Sequence, residues 1–98
     1  MNDHTLEELT KSLGATAQLL YDEALEKWKA DGWSVYAHLP SVTPERDGRH
    51  TGEVKYTMTK EGHNPAEPHA IFQYSPPAPM QKGRWVERRR YRLGGGLD

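Results

Sequence analysis

A chain of 98 residues with 13 Lys and Arg against 14 Asp and Glu holds material for one modest core, since a domain of this size buries about two-thirds of the surface its unfolded chain exposes. It contains no cysteine, which excludes a disulfide framework, a thiolate zinc site and a thiol nucleophile. No apolar run reaches the roughly 20 residues that span a bilayer, and the opening MNDHTLEELT lacks the cationic and apolar regions of a signal peptide. These features predict a single domain over residues 1–98, cytoplasmic and without a membrane partner.

The first segment, 1–32, is acidic and helical. Seven carboxylates (Asp3, Glu7, Glu8, Asp22, Glu23, Glu26, Asp31) face three lysines, a net of −4. Thr5 followed by Glu8 is a capping box. Leu6, Leu9, Leu13, Ala17, Leu20, Ala24 and Trp28 recur at steps of three or four and form one apolar stripe, widened by Leu19, Tyr21 and Leu25 as for a helix laid across a sheet. Gly14 costs about 1 kcal/mol relative to Ala inside a helix, which predicts a kink or a split there. Gly32 is expected to close the helix as a left-handed cap.

From residue 33 to residue 93 the period changes to two. Trp33, Val35, Ala37 and Leu39 alternate with Ser34, Tyr36 and His38 and predict a strand that stops at Pro40. Residues 40–52 read as a polar loop turning at Asp47–Gly48. A second strand, Glu53 to Thr59, points Val54, Tyr56 and Met58 inward and Lys55, Thr57 and Thr59 outward. After the loop EGHNPAEP, HAIFQYS forms a third strand with Ala70, Phe72 and Tyr74 inward, and PPAPMQKG is a stiff connector. The fourth strand, RWVERRRYRL, sits in a tail of net +4 and sets Trp85, Glu87, Arg89, Tyr91 and Leu93 opposite Arg84, Val86, Arg88, Arg90 and Arg92. Burying Glu87 and Arg89 unpaired beside Trp85 costs several kcal/mol, a conflict that a bulge near Arg88–Arg90 or an edge position relieves. Residues 94–98 read as a flexible tail.

This order predicts an α+β fold, one N-terminal helix packed on a four-stranded antiparallel meander. The sheet's other face is then open and gathers the candidate partner-binding residues Arg84, Arg88, Arg90, Arg92, Tyr36, His38 and Lys55, with Thr57, Thr59 and Gln73 among them. Arginines at alternate positions project about 7 Å apart, near the spacing of successive phosphates on an extended single strand. The expectation is a small non-enzymatic interaction module that docks an acidic macromolecular surface through its Arg-rich C-terminal strand. Small cysteine-free domains of phage and mobile elements that inhibit or modulate host nucleic-acid-handling proteins have this character.

Two alternatives use the same face: direct binding of single-stranded nucleic acid, and a metal-independent ribonuclease built on His38, Tyr36, Arg88 and Arg90. Two further readings need no partner, one a solvated edge strand kept from aggregating by like charges, the other an acidic helix that neutralises the basic strand within the monomer. His63, Glu67 and His69 have the residue types of a metal site but no rigid template, and Gly94–Gly96 precede no helix that would cradle a phosphate. Neither a metal nor a cofactor is expected.

Overall fold

Thr5 opens the helix α1, Leu6–Lys29, with its hydroxyl accepting from the Glu8 N–H at 3.1 Å, one half of the expected capping box. The helix runs without a break through Gly14, so the predicted split does not occur. It ends earlier than the sequence implied, with Ala30 as its cap in a right-handed conformation, and Gly32 (φ +89°) turns the chain away two residues later. Leu9 and Leu13 are fully buried, while Leu19, expected to widen the apolar face, is 72% exposed. The structure, a computed structural model, describes residues 5–91.

Five strands follow: β1 Ser34–Ala37, β2 Ser41–Pro44, β3 His50–Thr59, β4 His69–Ser75 and β5 Arg84–Arg90. The sheet is antiparallel throughout, in the order β1-β3-β4-β5, with β2 also paired to β3. The fold is therefore α+β, a helix on an antiparallel sheet. Its first edge departs from expectation. The strand predicted from Trp33 to Leu39 stops at Ala37, and Leu39 is 93% exposed instead of inward. Across Pro40, Ser41, Val42 and Thr43 extend again and pair with the first half of β3 as β1 pairs with its second half. What read as a loop over 40–52 is thus a hairpin whose turn is only residues 45–49, with Gly48 at φ +81°.

Gly52 is the reason this hairpin can lie against the helix. A Cβ there would come within 2.7 Å of the Leu13 side chain and 2.7 Å of the Trp85 ring, closer than packed atoms approach. The core otherwise follows the predicted register: Leu13, Val35, Val54, Tyr56, Met58, Ala70 and Phe72 form one buried cluster with Trp28, Trp33 and Trp85 at its margin. Tyr56 donates its phenol to the Ala17 carbonyl of the helix at 3.1 Å. Burial raises the phenol's pKa above its ordinary value, offset in part by the positive charge of Arg90. No helix among the described residues is long and apolar enough to cross a membrane.

Candidate functional site

The last strand decides which arginines reach the open face. Tyr74 pairs with Trp85 and Phe72 with Glu87, but Ile71 pairs with Arg89 and Ala70 with Arg90. Arg88 is therefore an extra residue, a bulge that reverses the alternation of the strand. Both predicted ways of relieving the charge conflict are present, since β5 is bulged at Arg88 and also forms the edge of the sheet.

Before the bulge, Trp85 and Glu87 face the helix. After it, Arg90 faces the helix, and Arg89 turns outward. Arg90 forks onto Glu87 (Nε to Oε1 2.7 Å, Nη2 to Oε2 3.3 Å) and reaches Glu23 of α1 with Nη1 at 2.5 Å. Hydrogen bonding to Glu87, then to Glu23, holds its guanidinium pKa above the ordinary value against the opposing effect of burial. This corrects the expectation for Arg90, which is a cross-link between the acidic helix and the basic strand rather than part of the open face. For this one arginine, neutralisation within the monomer is what the structure has. Arg92 lies outside the described residues, as do Leu93 and the glycine tail.

Arg84, Arg88 and Arg89 are exposed and have no ion-pair partner among the described residues. They border an open face that the strand register arranges in rows. One row is Thr43, Thr51, Gln73 and Val86; the next is Ser41, Glu53, Ile71 and Arg89. The third runs His38, Lys55, His69 and Tyr91, joined by the His38 N–H to the Lys55 carbonyl, the pairing of Lys55 with His69, and the Tyr91 N–H to the His69 carbonyl. Beyond it stand Tyr36, 59% exposed, and its partner Thr57.

At the near end, Arg49 and Arg88 line two shallow clefts with Gln73, of about 150 and 320 Å³. Arg49 is held there by Asp47 at 2.6 Å, and its hydrogen bond draws the Asp47 carboxyl below its ordinary pKa. At the far end the side chains are interlocked. His38 Nε2 and the Thr57 hydroxyl are 2.5 Å apart, and His69 stacks on Tyr91 with centroids 4.1 Å apart and planes 21° from parallel. His69 Nδ1 meets the Glu67 carbonyl at 3.5 Å, and its Nε2 lies 3.9 Å from Glu53. A carbonyl only accepts, so a hydrogen bond here places the proton on Nδ1 and leaves Nε2 toward Glu53.

Of the sequence-predicted residues, Tyr36, His38, Lys55, Arg84 and Arg88 therefore border or stand on the open face, and Arg90 does not. Arg49, Glu53, His69, Arg89 and Tyr91 join them without having been singled out as partner-binding. Three of these were hidden by register: Arg89 and Tyr91 change face at the bulge, and His69 becomes a neighbour of Lys55 only once β4 is placed. His63 packs edge-on against Trp33 instead, and no three His, Asp or Glu among the described residues converge closely enough to hold a metal ion. No family model, no curated protein and no solved structure matches the chain.

Proposed function

We propose that the open sheet face binds single-stranded nucleic acid. The observation that carries this reading is the distribution of cations and rings: Arg84, Arg88, Arg89 and Lys55 are spread along one uncovered face that also presents Tyr36 and the His69–Tyr91 stack. Guanidinium and ammonium groups neutralise phosphates, and exposed rings take up bases by stacking, worth about 1–3 kcal/mol per base. Docking to an acidic protein uses the same charges but concentrates its energy in a desolvated central cluster of aromatic and apolar anchors. The middle of this face has only Ile71 and Val86 in that role, both half-buried between polar neighbours.

Fluorescence anisotropy of labelled single- and double-stranded oligonucleotides over a salt series tests the reading. Four phosphate contacts, from Arg84, Arg88, Arg89 and Lys55, give a log–log slope of about −3 for a single strand. The combined Arg88→Ala and Arg89→Ala variant is expected to lose about half of that slope with its circular dichroism unchanged. Absence of binding at low salt would overturn the proposal and leave the arginine strand as a surface for an acidic protein.

A further inference from the structure

The row His38, Lys55, His69 sets a histidine on either side of a lysine on the open face, His38 one residue past β1, Lys55 in β3 and His69 at the start of β4. Neighbouring strands lie about 4.8 Å apart, so the backbones carrying the two histidines are separated by about 10 Å. Proton transfer requires each imidazole within about 2.6–3.2 Å of its oxygen. The remaining span accommodates a phosphodiester seated over Lys55, with its attacking and leaving oxygens directed toward opposite rings. Each ring is also oriented by a neighbour: His38 by the Thr57 hydroxyl, His69 by the Tyr91 ring, the Glu67 carbonyl and the Glu53 carboxylate. Arg89 stands in the adjacent row, two residues along the strands from His69.

We propose that this row cleaves RNA by transphosphorylation, with His38 and His69 as the proton-transfer pair and Lys55 stabilising the charge that develops on phosphorus. The inference rests on the nucleic-acid reading and goes beyond it. In the reaction, the neutral imidazole takes the proton of a ribose 2′-hydroxyl, and the 2′ oxygen forms a bond to the adjacent phosphorus. The bond from phosphorus to the 5′ oxygen of the next nucleotide breaks, and the protonated imidazole gives its proton to that oxygen. The products are a 2′,3′-cyclic phosphate and a 5′-hydroxyl. One proton leaves a ribose oxygen and one reaches another, so no oxidant, cofactor or water is consumed.

The groups facing the two rings differ. Glu53 and Tyr91 face His69; Thr57 faces His38; Lys55 lies between them and Arg89 beyond. Because one ring must be neutral while the other is protonated, the rate is bell-shaped in pH.

The test uses the full chain with an end-labelled single-stranded RNA and the DNA of the same sequence, in the presence of a chelator. The expected result is cleavage of the RNA to fragments ending in a cyclic phosphate, read by mass spectrometry, with the DNA bound and left intact. His38→Ala and His69→Ala should each lower the rate at saturating RNA about 10²- to 10⁴-fold, for His69→Ala in addition to whatever binding is lost with the His69–Tyr91 stack. Lys55→Met should lower the rate more than it weakens binding. His69→Gln, which retains a polar group of similar reach, guards against a packing effect at Tyr91 and should be as inactive as His69→Ala. RNA that binds and stays intact would overturn this inference and leave the binding reading standing, whereas failure to bind RNA or DNA would overturn both. Cleavage that persists in the His38→Ala, His69→Ala double variant would also overturn it, as a property of something other than this row.

Discussion

On the helix side of β3, Val54, Tyr56 and Met58 are buried, whereas their immediate neighbours Glu53, Lys55 and Thr57 stand half-buried on the open side. The two sets alternate along one strand, yet different physics governs them. The helix side is fitted by shape: Leu13 and Trp85 close over Gly52 with no room for a Cβ. The open side is arranged by register and by side-chain hydrogen bonds, and its cations are mostly unpaired. Arg90 and Arg89 repeat the contrast one residue apart. The former is tied to Glu87 and Glu23 on the helix side; the latter faces outward without an ion pair among the described residues. The close packing and the unpaired cations thus sit on opposite faces and can be perturbed separately.

The largest effect should come from the buried face. Leu13→Ala removes a fully buried side chain and is expected to cost about 2–5 kcal/mol in denaturant unfolding. A loss below about 1 kcal/mol would mean that the helix is not docked as described.

Next comes Tyr56→Phe, which deletes the hydrogen bond to the Ala17 carbonyl and should cost about 0.5–1.5 kcal/mol. This residue also carries a pH signature. Its folded-state pKa is raised above the ordinary tyrosine value of about 10, so the unfolded chain releases the proton first. The stability it contributes is complete below about pH 10 and is lost as pH climbs through the raised native value. Melting temperature should therefore fall above pH 10, and less steeply in the Phe variant. Part of the decline remains with Tyr74, whose phenol burial also shifts upward.

The smallest stability effects separate the two arginines. Arg90→Ala should cost about 1 kcal/mol, because a three-member ion network at a partly exposed site is worth little more. In combination with Glu23→Ala the losses should be less than additive. Arg89→Ala should leave unfolding within about 0.5 kcal/mol of the parent yet reduce the salt slope of nucleic-acid binding by about 0.7. Equal effects of the two substitutions on unfolding would dissolve the distinction between the faces.

Much of the helix side was legible in the sequence because apolar period carries it. The inward sets Val54, Tyr56, Met58 and Ala70, Phe72, Tyr74 follow from alternation alone, and Thr5 follows from capping chemistry. The open face was legible only in part. Tyr36, His38 and Lys55 belong to strands whose phase is fixed by buried neighbours, so their outward direction could be read. Past Arg88 that phase is lost, because a bulge adds one residue without any local marker beyond the misplaced charges of Glu87 and Arg89. Leu39 shows the complementary error: it continues an apolar alternation, but Pro40 interrupts the ladder and the chain steps out before resuming at Ser41. Which residues meet across strands, as His38, Lys55 and His69 do, depends on loop lengths and pairing offsets that no single strand contains.

β3 is flanked by β2 and then β1 on one side, and on the other by β4 as far as Lys55 and beyond it by Pro68 and Ala66 of the connection, which accept from the Tyr56 and Met58 amides. Its backbone amides consequently exchange only when a neighbouring segment is lost, and those of Thr51 to Lys55, between two strands, should be among the slowest in the molecule to take up deuterium. Both of its hairpin connections, 45–49 and 60–68, are short, so closing them demands little loop entropy. β3 is thus the element on which the sheet can assemble early, before the helix from the far end of the chain has found its place across it.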